Sequence, residues 1–442
     1  MGSDVLERIF GLSARGTSVR IEVMAGLTTF LTMAYIVAVN PSILGQAGMP
    51  VAGVAAATCL AAGVACILMG LLSNYPLAMA PGMGLNAYFT FTVVKGMGVP
   101  WQTALGCVFL SGVLFLLLTI SGVRRLIVGA IPRPLFNAVA AGIGLFIAFI
   151  GLRDAGIVTT DPATIVTLGD LSRPTALLAL AGLVLIAALQ AWKVRGAILI
   201  GILVIAVAAW ELGLVHLAPA GYSFGDLSST AFRLDIPAAL NLKGSLGLAL
   251  VEIVFVFLFV DVFDNVGTLM AVSQKAGLTA PDGSIPRLNR VLLADSTATI
   301  VGSLAGTSTV VSYIESASGV AAGGRTGLTS VVVGLLFLAA IAFAPLVQAI
   351  PTAATAPALV LVGAMMMSGL KEIDWEDPGV AIPCFLTLIG IPLSFSIANG
   401  LAFGIVSYAA LRLVRGQARA GDWLLYVLAA LFVVRFAYLA AS

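Results

Sequence analysis

Apolar segments follow one another along this whole chain, with hardly a charged residue inside them. They recur near 21–40, 51–72, 84–95, 101–121, 134–151, 174–191, 196–215, 245–272, 288–305, 311–322, 328–347, 355–370, 379–394 and 397–414, about fourteen in all. Of the 442 residues 60% are hydrophobic and only 10% charged, and the mean hydropathy is +1.11. Soluble domains carry about 25% charged residues. A soluble fold of this length could not hide so much apolar surface, whereas a bilayer can. The pattern therefore predicts an all-α integral membrane protein. The net charge of +2 gives no reason to expect a nucleic-acid partner.

The polar N-terminal stretch through Arg20 lacks a signal-peptide layout, so the first apolar segment is expected to be retained. Cys59, Cys66, Cys107 and Cys384 all sit in apolar runs and read as small packing residues, and His216 reads as a loop residue. Neither a metal nor a cofactor is expected. The basic residues alternate between loops as the positive-inside rule requires. Arg124, Arg125 and Arg133 fall in one even-numbered loop, followed by Lys193 and Arg195, then Lys275, Arg287 and Arg290, then Arg325, then Lys371. Arg412, Arg415 and Arg419 follow the last span, while the loops at 41–50, 346–354 and 395–396 hold no Lys or Arg. Both ends of the fourteen-span region are thus expected to be cytoplasmic. A further apolar run, 423–440, contains Arg435 and reads either as an interfacial segment or as a fifteenth span.

The two halves resemble each other at a shift of about 228–232 residues. FLTMAYIVAVNPSILGQAG (30–48) matches LFVDVFDNVGTLMAVSQKAG (258–277), and LMGLLSN (68–74) matches IVGSLAG (300–306). NAYFTFTVVKGMGV (86–99) and IPRPLFNAVAAGIGLFIAFIGL (131–152) find partners at 315–328 and 350–370, in the same order. Seven spans per half is an odd number, so the second half would enter the membrane inverted. Inverted repeats are a plan of secondary transporters, with substrate held near the midplane by discontinuous helices. The short segments 84–95 and 311–322 are the candidates for those helices.

Ionisable residues inside the segments are few. Burying one near a helix centre costs about 2.5–3.5 kcal/mol on insertion scales, so each is a candidate for function. Asp261 and Asp264 lie three apart on one helical face, continued by Asn265 and Thr268. Asp295 and Glu315 follow, and the repeat sets Glu315 opposite Asn86. A carboxylate accepts hydrogen bonds and an amide both donates and accepts, which suits an uncharged heterocycle bearing both kinds of group. Burial also disfavours the charged form of a carboxylate, so a proton is a natural coupling ion.

APGMGLNAYF (80–89), FDNVGTL (263–269), ADSTATIVGSLAGTSTVVSYIESASGVAAGGRTGL (294–328) and IPLSFSIANG (391–400) resemble the nucleobase–cation symporter-2 superfamily, and within it the AzgA-like adenine/guanine/hypoxanthine permeases. The resemblance implies fourteen spans in a seven-plus-seven inverted repeat, with short strands in spans three and ten. It implies a core domain from 1–121 and 245–348, and a gate domain from 122–244 and 349–442. Its binding carboxylates would be Asp261, with Asp264 beside it, and Glu315; its amide would be Asn86, with Ala87 and Ser316 completing the substrate contacts. Asp264, Asn265, Thr268 and Asp295 would handle or support the proton. Uracil-transporting relatives carry Glu-His-x-Gly-His where this chain has Asp264-Asn265-Val266-Gly267-Thr268, so coupling here would rest on carboxylates.

The expected activity is purine nucleobase uptake by proton symport, with sodium the less favoured ion. A bacterial inner membrane and a homodimer are also implied. An anion transporter of the same fold is opposed by the acidic centre, because carboxylates repel anions. A membrane-embedded enzyme would need a nucleophile, metal cluster or His-rich site, and the spans offer none.

Overall fold

A computed structural model of the protein describes residues 2–121, 132–214, 224–241, 247–278, 285–343, 347, 350–418 and 422–441. His216, Arg124, Arg125 and Arg419 lie outside the described residues. The chain is mostly helical. An N-terminal helix α1 (Gly2–Phe10) precedes α2 (Val19–Met33), α3 (Ile36–Gly45) and α4 (Val51–Ser73). Strand β1 (Met79–Pro81) leads into the short α5 (Met83–Ala87), which continues as wider π-helical turns over Tyr88–Gly96. Then come α6 (Trp101–Ser121), α7 (Arg133–Asp154), an exposed hairpin of β2 (Val158–Asp161) and β3 (Ile165–Leu168), α8 (Pro174–Ala191) and α9 (Ala197–Glu211). The later part holds α10 (Gly247–Lys275), α11 (Leu288–Ala305), β4 (Val310–Ser312), α12 (Ser316–Ala321) and α13 (Gly327–Ala340). Last come α14 (Thr352–Met366), α15 (Pro378–Ser394), α16 (Ile397–Val414) and α17 (Trp423–Ala441).

Seven of these helical stretches are long and apolar enough to cross a membrane: Val19–Gly45, Val51–Ser73, Trp101–Ser121, Arg133–Asp154, Pro174–Ala191, Thr352–Glu372 and Ile397–Val414. Four shorter apolar helices accompany them. The run at 423–440 is helical, and Arg435 Nη1 donates to Asn399 Oδ1 of α16 at 3.0 Å.

The chain divides into two compact units, one made of residues 1–120 with 153–358, the other of 121–152 with 359–442. Helices α8 and α9 fall in the first unit, although the resemblance groups them with the gate. They pack on each other, and Arg195, just before α9, donates to Thr28 Oγ1 of α2 at 3.2 Å.

In the first unit, α4 and α13 meet through glycines spaced seven apart on each helix: Gly63 and Gly70 against Gly334 and Gly327. A Cβ on Gly334 would lie 2.6 Å from the Gly63 carbonyl oxygen, and one on Gly327 would strike that of Gly70. Small residues at such contacts let membrane helices approach closely and gain dispersion contacts. Glu22 of α2 locks the same region. Its carboxylate is fully buried and accepts from the backbone N–H groups of Arg325 (2.9 Å), Thr326 (3.3 Å) and Thr329 (3.3 Å), and from the Thr329 hydroxyl. It thereby satisfies donors at the start of α13 that would otherwise be orphaned.

In the second unit, Phe395 turns the chain between α15 and α16 with a φ of 50°. Its ring meets Phe146 edge-on with centroids 5.3 Å apart, and Phe149 at 5.5 Å.

Candidate functional site

The site grows from a two-stranded ladder. Strands β1 and β4 pair antiparallel, Met79 with Ser312, Ala80 with Val311 and Pro81 with Val310. The ladder is extended alike at both ends: Gly82 N–H donates to the Thr309 carbonyl at 2.9 Å, and Tyr313 N–H to the Ala78 carbonyl at 2.9 Å. The arrangement is symmetric about Ala80 and Val311. All six strand residues are buried, so each backbone group has to find a partner in protein. The surroundings supply more. The Cys66 thiol donates to the Met79 carbonyl at 3.2 Å, and Thr299 Oγ1 approaches the Val310 carbonyl at 3.2 Å. The Tyr313 hydroxyl donates to the Pro81 carbonyl, and Ser316 Oγ accepts from Ala78 N–H at 2.9 Å.

Each strand runs directly into a helix that carries a predicted binding residue. On the first side Asn86 is fully buried in α5, with Ala87 beside it. Its Nδ2 donates to Asn40 Oδ1 at 2.6 Å, while Asn40 Nδ2 donates to Thr58 Oγ1 at 2.7 Å and to Thr307 Oγ1 at 2.9 Å. This chain of bonds joins α3, α4, α5 and the approach to β4. It fixes the Asn86 amide so that Oδ1 is left without a hydrogen-bond partner among the described residues. Buried polar atoms are nearly always paired, so such an acceptor is poised for something the protein itself does not provide. Beyond Asn86 the helix widens, with Met97 N–H reaching back five residues to the Thr92 carbonyl at 2.9 Å. Stretches of π-helix are rare and cluster at functional sites. Tyr88 and Phe89 of this stretch pack on Phe257 of α10 at centroid distances of 5.3 and 6.4 Å.

On the second side Glu315 stands just before α12 and is half-buried. Tyr35, at the break between α2 and α3, donates its hydroxyl to Glu315 Oε1 at 2.6 Å. Asp264 lies near the middle of α10 yet is exposed. Asp264 and Glu315 are close enough to act on one another electrostatically, and both act on Tyr313. The structure therefore brings together Asp264, Glu315, Tyr35 and Tyr313.

The two aspartates of α10 part company despite their spacing. Asp261 is buried and its Oδ2 accepts from Thr299 Oγ1 of α11 at 3.0 Å, the same hydroxyl that lies against the Val310 carbonyl. Asp261 thus braces the strand from behind. Asp295 is fully buried one turn before Thr299. Asn265 is also buried, with neither amide atom hydrogen-bonded among the described residues, and Thr268 is largely buried one turn beyond Asp264. Ser316 spends its hydroxyl oxygen on the Ala78 amide, behind the site. Tyr35, Asn40, Thr307 and Tyr313 were not among the residues expected from sequence. Asn40 had a signal, being an amide followed by Pro41 within an apolar segment.

Residues 20–403 match the family model Xan_ur_permease, described as the Permease family. The adenine permease AdeP of Escherichia coli K12 is 43% identical, over 100% of this chain and 98% of its own. The guanine/hypoxanthine permease PbuG of Bacillus subtilis 168 is 43% identical, over 98% of this chain and 100% of its own. Among solved structures, the transmembrane domain of the cyanobacterial bicarbonate transporter BicA superposes with a TM-score of 0.64 at 15% identity, covering 87% of this chain and 97% of that one. At that identity the likeness shows a shared membrane-transporter fold.

Proposed function

This chain belongs to the Permease family, membrane transporters and not enzymes, and on that premise we propose that it imports purine nucleobases by proton symport. The observation that supports the reading is the buried ladder, after whose two strands the chain carries Asn86 on one side and Glu315 on the other, an amide and an acceptor. Asp264 and Glu315 offer acceptors to the ring and exocyclic N–H groups of a purine, and the open Asn86 Oδ1 offers one more. The names of the full-length relatives, adenine and guanine/hypoxanthine permeases, support the substrate class.

Asp261, Thr268, Asn265 and Asp295 support the site from within the packing, and Ala87 and Ser316 frame it. A carboxylate that binds a proton loses the charge that is costly to carry through a bilayer. The loaded site then crosses more readily than the empty, ionised one. We read 1–121 with 245–348 as the moving core, and 122–244 with 349–442 as the gate, in a fourteen-span inverted repeat. The symmetric ladder register supports the repeat. A cytoplasmic N-terminus, a cell-membrane location and a homodimer belong to the same proposal. The fold is shared with an anion transporter, but an anion would meet two carboxylates here.

The test is uptake by reconstituted liposomes of labelled adenine, guanine, hypoxanthine and uracil, with an inward proton gradient, an inward sodium gradient or neither. Purine uptake raised by the proton gradient alone, and lost in Glu315→Gln, is expected. Gradient-driven accumulation at the wild-type rate in Glu315→Gln would remove Glu315 from proton coupling. Bicarbonate uptake with no purine uptake would overturn the substrate.

A further inference from the structure

The first unit holds a second polar concavity, remote in sequence from the site and made by different elements. It is a cavity of about 380 Å³ lined by the end of α1 and the turn after it, the C-terminal end of α4, and the residues just before and at the start of α11. Four arginines reach it: Arg8, Arg15, Arg287 and Arg290. Among the described residues, no acidic side chain lines it.

The nearby carboxylates are committed elsewhere. Glu22 is spent on the start of α13, and Glu7 accepts from Ser13 N–H at 3.1 Å. Two of the guanidiniums are anchored by a single donor each. Arg15 Nη1 donates to the Arg325 carbonyl at 3.0 Å, and Arg287 Nη1 to the Ser73 carbonyl at 3.4 Å. A guanidinium has five N–H donors, so most of this donor capacity is unspent. Arg15 lies outside the spans, and burial together with the neighbouring Arg287 charge pushes its proton affinity below the ordinary arginine value. Like charges gathered in a recess, with no acidic side chain among the described residues of its wall and Glu22 already engaged at the start of α13, make a place for an anion.

The rim says which kind. Leu71 and Leu72, at the end of the membrane-length helix α4, are 52% and 43% exposed, and Ile9 of α1 is 51% exposed. All three line the same cavity. A recess that is cationic at its base and apolar at its lip, where an apolar helix ends, matches an acyl chain leading to a phosphate. Arginine is suited to that group because its planar fork binds phosphate oxygens in pairs. Basic pockets between helix ends are a recognised setting for anionic headgroups.

We propose that this cavity binds the phosphate headgroup of an anionic membrane phospholipid, with α1 lying along the bilayer surface as its outer wall. Free inorganic phosphate has the same oxygen chemistry but no use for the apolar lip, so the two sources separate by experiment.

Full-length protein, purified and stripped of lipid, is titrated with phosphatidylglycerol, with phosphatidylcholine and with inorganic phosphate. Retained lipid is read by native mass spectrometry, and thermal stability is read alongside. Arg8 and Arg290 are exposed and their side chains make no hydrogen bond or ion pair among the described residues, so Arg8→Gln/Arg290→Gln is the variant of choice. Phosphatidylglycerol is expected to bind the wild type and to bind the double variant about thirty-fold more weakly at low salt, on about 1 kcal/mol per basic residue. Arg173→Gln, a charge loss on the exposed turn before α8, is expected to leave binding unchanged. Equal binding of both lipids, or an unaltered affinity in the double variant, overturns the proposal. Phosphate binding that matches phosphatidylglycerol and falls in the same variant overturns the lipid and makes the cavity a soluble-anion site.

Discussion

At the scale of single residues, the site depends on hydrogen bonds that aim its acceptors. Tyr35 holds Glu315 by one short bond. A hydrogen bond to a charged group contributes about 1.5–3 kcal/mol. Tyr35→Phe is therefore expected to raise the KM for nucleobase uptake tenfold or more, while the maximal rate and the folded yield hold. An unchanged KM would reduce Tyr35 to a packing residue. The carboxylates were legible in the sequence because a charge inside a membrane helix is expensive and so conspicuous. Their directions were not. Asp261 and Asp264 share a helical face by spacing, yet α11 meets one of them and open space the other. Tyr35 and Asn40 were missed because a hydroxyl or an amide costs much less to bury than a charge, and their roles arise from contacts between distant segments. Glu22 was not singled out in the sequence, because its role arises from the start of α13, some three hundred residues away, packing against it.

Among the elements, the apolar segments were read closely because hydrophobicity persists for as long as a helix does. The segment expected at 51–72 is Val51–Ser73, that at 174–191 is Pro174–Ala191, and that at 397–414 is Ile397–Val414. Three-residue strands have too little length to show a period of two, so β1 and β4 left no pattern of their own in the residues. The break at Ala34 and Tyr35 was hidden for a similar reason, since no charged residue, glycine or proline marks it between Phe30 and Val39. The α4–α13 crossing yields a prediction at this scale. Gly327→Val would drive a branched side chain into the Gly70 carbonyl, forcing apart helices that also carry the Glu22 and Asn74 contacts. Overpacking of a tight contact costs about 1–3 kcal/mol, occasionally more. A clear drop in melting temperature and in monodisperse yield on size-exclusion chromatography is expected, and wild-type values for both would refute the tight crossing.

For the whole molecule, orientation is the property that composition foretells and that chemistry can check. Cys59, Cys66, Cys107 and Cys384 are all buried, so the native chain should react little with a membrane-impermeant maleimide. Ala163→Cys, at the tip of the β2–β3 hairpin, is expected to label in intact cells, and Gln417→Cys, just beyond α16, only after permeabilisation. The reverse pattern would invert the topology. The ladder between β1 and β4 bears on how such a molecule can work. Both half-sites spring from one set of backbone bonds, in a place with no water to replace any that break. Sliding one half past the other would forfeit several of those bonds at once. A displacement of the segment leaving β1 is therefore shared by the segment leaving β4, so Asn86 and Glu315 stand like two marks cut on one rule.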